Sequence, residues 1–317
     1  MTAFWIVLAV LAFVLLAVAV IAYICYRMTF YLANKPTNEE YPIPQGEIYE
    51  VYREQMIEWI KWARATPHRE VTIRSFDGLT LRGKYYEYSK DAPLEILFHG
   101  YRGSSTQDLC GGVARCFLLR HSALIVDHRA GGDSEGHVTT FGINESRDCQ
   151  SWVTFVLKEI NPRAKIILAG ISMGASTVLM CADQPFPDNV VGMVADCGYT
   201  SPEAIIRKVI KKDLKLSDTW LYPFVRLGGK LFGHFDLEER SPIEAVKRSR
   251  LPIIFFHGDA DAFVPCDMSV TNYQACTSHK RLVIIPNAGH GLCFPVDQDT
   301  YLSELRDFFD PLIRDKA

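Results

Sequence analysis

Residues 165–181 (Lys-Ile-Ile-Leu-Ala-Gly-Ile-Ser-Met-Gly-Ala-Ser-Thr-Val-Leu-Met-Cys) constrain the fold more than any other stretch of this chain. Ile166 to Ala169 is apolar, too short for a helix and rich in β-branched side chains, which predicts a buried strand. Gly170-Ile171-Ser172-Met173-Gly174 follows, and Ala175 to Cys181 is compatible with a helix. Strand, tight turn and helix in that order can hold a serine on a strained bend with its hydroxyl above the sheet. The residues two before and two after, Gly170 and Gly174, must then lack side chains that would clash. The helix behind Ser172 also aims its free N–H groups and positive dipole end at the same spot. The expectation is a nucleophile elbow at Ser172, weighed against an ordinary serine in a glycine-flanked turn.

The chain on either side repeats the alternation of strand and helix. Residues 71–88 alternate apolar and polar side chains, with Phe76-Asp77-Gly78-Leu79 as a hairpin turn. Leu94 to Phe98 predicts a buried strand ending in His99-Gly100-Tyr101-Arg102-Gly103. Acyl transfer requires two backbone N–H groups converging on the oxygen that becomes charged. The N–H groups of Tyr101 and Met173 are assigned to that oxyanion hole, with His99 holding the loop through its ring. Ser122 to Asp127 is a further strand, leading into a loop, 128–136, that contains three glycines. It lacks a lysine followed by Ser or Thr at phosphate-loop spacing and reads as a structural turn. A helix over about 145–160 and a strand over 189–195 ending at Asp196 continue the pattern. Short connections throughout predict a mostly parallel sheet with helices on both faces.

His99-Gly100 after a strand, the 127–136 loop and Gly170-Ile171-Ser172-Met173-Gly174, in this order, resemble the α/β-hydrolase superfamily in its serine-aminopeptidase-like and esterase branch. The resemblance covers residues 71 to the C-terminus. It implies a mainly parallel eight-stranded sheet carrying a serine, an acid and a histidine in that chain order. His257-Gly258-Asp259-Ala260-Asp261-Ala262-Phe263-Val264-Pro265 resembles the family's acid loop, which places the acid on Asp261; Asp259 and Asp196 stand as rivals. A carboxylate is needed there to fix the histidine's tautomer and stabilise its cation. His290, on a glycine-flanked loop after the last strand (281–285), matches the family's base, whereas His279 precedes that strand. Residues 199–250 fall where the family inserts a helical cap. Ser201-Pro202-Glu203 and Ser241-Pro242-Ile243-Glu244 predict helix starts, the second with a full capping box. The apolar residues between them, Trp220 to Phe232, either line an acyl or aromatic pocket or pack the cap onto the core. Lys208, Lys211, Lys212 and Lys215 read as a solvated face or as a site for anionic lipid head groups. A helix over 299–309 closes the chain.

Residues 3–26 carry no charge and are long enough to cross a hydrocarbon core of about 30 Å. No Lys or Arg precedes Arg27, unlike a secretory signal with its basic start, although Ala17-Val18-Ala19 resembles a cleavage site. A permanent anchor over 1–27 is expected, then a linker and amphipathic helix over 28–70 packed on the domain, then an α/β-hydrolase domain over 71–317. Arg27 and Lys35 after the span favour a cytoplasmic domain. Nine cysteines at irregular spacings, none in a C-x-x-C pair, fit reduced thiols. No cofactor or metal is expected, since H-E-x-x-H and calcium-loop motifs are absent. A net charge of −3 without a basic aromatic patch argues against nucleic acid. The partners implied are a small-molecule acyl substrate and membrane lipid. The function expected is membrane-anchored hydrolysis of a carboxylic ester, with a peptidase or thioesterase, or a non-catalytic ligand-binding relative, as alternatives. Deletion of residues 1–35 is expected to free an active soluble domain.

Overall fold

The period-two stretch near the start of the domain folds as a hairpin. In the computed structural model, which describes residues 1–33 and 40–315, β1 (Arg69–Arg74) pairs antiparallel with β2 (Thr80–Tyr86). Gly78, at φ +92°, supplies the left-handed turn residue between them. The next strands are buried almost throughout, as expected for a sheet covered on both faces: β3 (Leu94–Phe98), β4 (Ser122–Val126), β5 (Ile166–Ile171), β6 (Val190–Asp196) and β7 (Ile253–Gly258). The edge strand β8 (Lys280–Ile285) is mostly half-buried, with only Ile285 fully inside. The sheet order is β1-β2-β4-β3-β5-β6-β7-β8, and every pairing from β4 to β8 is parallel.

Two apolar layers sandwich the sheet. Ile96, Phe98, Leu168 and Phe255 face a layer with Trp152 and Val178, while Leu97, Ala169, Val194 and Phe256 face one with Phe294, Tyr301 and Phe309. Alternate residues of one strand thus serve opposite cores. In chain order the helices are α1 (Thr2–Thr29), α2 (Glu47–Glu50), α3 (Arg53–Ala65), α4 (Ser105–Asp108), α5 (Gly112–Leu118), α6 (Ile143–Phe155), α7 (Met173–Met180), α8 (Pro202–Lys208), α9 (Asp218–Gly228), α10 (Pro242–Val246), α11 (Cys266–Ala275), α12 (Cys293–Val296) and α13 (Gln298–Asp315). Ser201 caps α8 through the N–H of Ala204 at 3.0 Å. The capping box expected at Ser241 does not form: α10 starts there, but the Ser241 side chain accepts no cap bond.

The N-terminal helix has two parts with different surroundings. No side chain from Thr2 to Ile21 is buried, and that length of helix spans about 30 Å. From Ala22 onward it enters the fold: Cys25, Tyr26 and Phe30 join an apolar cluster with Phe141, Met173, Tyr199, Tyr222, Val225 and Phe235. The approach to the cap is close, since a Cβ on Gly228 would lie 2.4 Å from the carbonyl oxygen of Ala22. The expected linker is only partly described, because residues 34–39, including Lys35, lie outside the described residues. The expected amphipathic helix is broken into α2 and α3, and Met56 and Ile60 of α3 are buried.

Candidate active site

Ser172 sits between β5 and α7 with φ +56° and ψ −117°, a conformation that a non-glycine residue adopts only when its surroundings impose it. Its N–H donates to Asp196 O (2.8 Å), and its carbonyl accepts from Ser176 N–H (3.0 Å). The flanking glycines are required by contact. A Cβ on Gly174 would lie 2.0 Å from Phe98 O, and one on Gly170 would lie 2.2 Å from the Gly174 carbonyl carbon. Backbone cannot retreat there without lifting α7 off β3 and β5. Gly174→Ala should therefore destabilise the protein by on the order of 3 kcal/mol, read as a lowered unfolding midpoint against wild type.

The loops after β5, β7 and β8 bring Ser172, Asp261 and His290 together. His290 Nε2 lies 2.9 Å from Ser172 Oγ, and its Nδ1 lies 2.7 Å from Asp261 Oδ2. Asp261 Oδ1 accepts the N–H groups of Phe263 and Val264, both at 2.8 Å, and Oδ2 also lies 3.2 Å from His257 Nε2. Burial pushes the Asp261 carboxyl upward, but hydrogen bonds from His257, His290 and Val264 and the His290 charge outweigh it and hold it well below the usual carboxylate range. An ionised Asp261 can only accept, so His290 carries its proton on Nδ1 and leaves Nε2 free to accept from the serine hydroxyl. The depressed carboxyl favours the fold above its unfolded pKa of about 4, and that contribution is lost only as pH falls through the lower folded value.

The rival carboxylates are engaged elsewhere. Asp259 Oδ1 accepts from Asn287 N–H at 2.6 Å, and Asp196 Oδ2 accepts from Tyr301 O–H at 3.1 Å. His257, at the start of the acid loop, supports Asp261 from behind. It is fully buried, with Nε2 2.9 Å from Val264 O and Nδ1 2.6 Å from Ser269 Oγ. A carbonyl can only accept, so Nε2 bears the proton and also leans on Asp261.

The 99–103 loop lies against the serine, and a Cβ on Gly100 would be 3.5 Å from Ser172 Cβ. Gly100 N–H donates to Asp108 Oδ2 (2.8 Å). His99 is buried; its Nε2 accepts from His128 N–H (3.0 Å), so Nδ1 is the protonated nitrogen and donates to Gly100 O (2.8 Å). Among the described residues no protein acceptor takes the N–H of Tyr101 or of Met173, the first residue of α7. Asp127 closes the 128–136 loop as a turn, accepting from Ser105 N–H (2.7 Å) and Asp133 N–H (3.0 Å).

A cavity of about 550 Å³ opens beside Ser172 and His290, a size typical of small-molecule sites. No residue of 199–250 borders it, so the apolar residues Trp220 to Phe232 do not line this cavity. The walls come instead from the segment before the sheet (Ile48, Tyr49, Trp59) and from Leu97, Leu109 and Phe294. Tyr49 O–H donates to the His290 carbonyl (3.0 Å), and Trp59 stacks on Phe294 at 5.3 Å. The cap's apolar face is already occupied by α1. Sequence periodicity had marked this α2–α3 stretch as amphipathic, but not what it covers.

One further donor set invites a cation: Cys197 Sγ, an Asp261 oxygen and a ring nitrogen of His290 lie within 4.8 Å of one another. Burial pushes the Cys197 thiol well up, which opposes the thiolate a metal needs, and Asp261 and His290 are already bonded to each other. The donor set does not fit a metal.

This is the fold of the α/β hydrolases. The family model described as the α/β hydrolase fold matches residues 96–240 of the chain. Protein YqkD of Bacillus subtilis is 28% identical over 240 residues, covering 75% of this chain and 78% of that protein. The esterase Pf2001 of Pyrococcus furiosus superposes with a TM-score of 0.65 at 19% identity, over 87% of this chain and 100% of its own. The acylaminoacyl peptidase of Pyrococcus horikoshii superposes with a TM-score of 0.57 at 16% identity, over 79% of this chain and 42% of its own.

Proposed function

We propose that this protein is a membrane-anchored serine hydrolase that cleaves a carboxylic ester, with Ser172 as nucleophile, His290 as base and Asp261 as the orienting acid. The observation that carries the reading is the continuous hydrogen-bond chain from Ser172 Oγ through His290 to Asp261 at the mouth of an apolar cavity. His290 Nε2 takes the hydroxyl proton as Ser172 Oγ attacks the acyl carbon, and the N–H groups of Tyr101 and Met173 stabilise the oxyanion. His290 then gives the proton to the departing alkoxide. A water deprotonated by the same nitrogen releases the acid from the acyl-enzyme. The exposed apolar part of α1 crosses the bilayer, and Arg27 at its end puts the catalytic domain on the cytoplasmic side.

The test is labelling by a fluorophosphonate probe with peptide mapping of the adduct, beside a panel of nitrophenyl esters, thioesters and amides of matched acyl length. Labelling of Ser172 with esters turned over fastest is the expected result; a folded protein that neither labels nor hydrolyses would overturn the reading. Amide hydrolysis is a second reading, supported by the likeness to an acylaminoacyl peptidase. Faster turnover of the amides would favour it.

The acid assignment has its own test. Asp261→Asn should lower kcat by about ten-thousand-fold through loss of the correct His290 tautomer. Asp196→Asn, whose side chain bonds Tyr301 rather than His290, should stay within about tenfold of wild type. The reverse order, read from single-turnover ester cleavage, would move the acid to Asp196.

A further inference from the structure

We infer that the last turn of α1 is a positioning element for the oxyanion loop, acting through Tyr101 and Arg102; this rests on the proposed role of Tyr101 N–H as an oxyanion donor. The 99–103 loop is held from inside by Asp108 and His128. From the other side its fixed partner is α1. Tyr101 O–H donates to Thr29 O at 2.6 Å, and Arg102 Nη2 donates to Met28 O at 2.7 Å and reaches Tyr31 O at 3.5 Å.

Met28 O and Thr29 O are end-of-helix carbonyls, which lack intrahelical partners and form the negative end of the helix dipole. A guanidinium is the side chain that such an end favours. Arg102 also sits at φ +58°, a left-handed conformation that its side-chain anchor helps to maintain. The Tyr101 ring packs on Phe141 at 4.9 Å, and Phe141 meets Phe30 at 5.9 Å. Met173, carrier of the other proposed donor, lies in the same apolar cluster as Tyr26 and Phe30. Tyr101 thus leans on the end of the helix whose exposed part is proposed to cross the bilayer, and Met173 shares the apolar cluster that receives it. Oxyanion donors act through fixed geometry, and displacement of a reacting group by about 1 Å can cost about a hundredfold in rate. The placement of α1 against the domain is thereby read by the rate of the chemical step.

The test uses the full chain in detergent micelles with p-nitrophenyl butyrate and a fluorophosphonate. Tyr101→Phe removes one anchor, Arg102→Met the other, and the double variant both; Arg102→Lys keeps a cationic donor. The double variant should lose about tenfold in kcat and in labelling rate with KM within about twofold, and Arg102→Lys should recover most of the Arg102→Met loss. Gly228→Ala, which forces α1 away from α9 at a distance from Ser172, should lower kcat in the same sense. A folded double variant with wild-type kcat and labelling rate, beside an inactive Ser172→Ala, overturns this inference and leaves the hydrolase reading standing. Wild-type protein that neither labels nor hydrolyses overturns both.

Discussion

Ser172→Ala should abolish fluorophosphonate labelling and reduce ester turnover by about ten-thousand-fold or more, with His290→Ala close behind. The two losses should not add in the double variant. Ser172 Oγ and His290 Nε2 stand 2.9 Å apart and share one proton, so neither performs a step without the other. Residual turnover would reflect the oxyanion donors and the cavity alone. The measurement is kcat on a nitrophenyl ester, with thermal melting to show that both variants fold. Ser172 is tightly enclosed, and alanine keeps its backbone while removing one oxygen, so the melting point should move little. Equal activity in Ser172→Ala and wild type would end the serine-hydrolase reading.

The second large effect concerns α1. Deletion of residues 1–21 should leave a folded, active protein, whereas deletion of residues 1–35 should not, contrary to the expectation from sequence that the longer deletion frees an active domain. Tyr26, Phe30 and Leu32 are buried in the fold, and each such side chain contributes about 1.5–3 kcal/mol. Their sum, about 5–9 kcal/mol, approaches the entire net stability of about 5–15 kcal/mol expected for a domain. The longer deletion also removes Phe30 O, which accepts from Thr139 N–H at 2.9 Å, and Leu32 N–H, which donates to His137 O at 2.8 Å. Solubility, melting temperature and labelling of the two truncations decide the matter. A soluble, labelled protein lacking residues 1–35 would show that the α1 contacts are dispensable.

Most of the candidate site was legible because its parts are local. The elbow, the 257–265 loop and the 286–291 loop each combine a strand end with a few residues whose chemistry is readable in order. The choice among Asp196, Asp259 and Asp261 was carried by resemblance. It gained a physical basis only when the hydrogen bonds of each carboxylate could be compared. The Ser241 box illustrates the limit of local pattern: the residues are present, but α10 is only one turn long and the side chain makes no cap bond.

What the sequence by itself determined was the order of strands and helices, the strained serine between two glycines, and an apolar N-terminal helix. These follow from side-chain periodicity and from steric rules that act within a few residues. What only the tertiary structure decided was which surface each apolar face meets. Residues 47–59 proved to wall part of the cavity, and the cap, whose apolar residues left two readings open, proved to receive the end of α1. Periodicity shows that a face is buried but carries no label for its partner, because the hydrophobic effect is non-directional and any complementary apolar surface satisfies it. The partner is chosen by shape and by close approaches such as Gly228 against Ala22, and these exist only once the chain is folded.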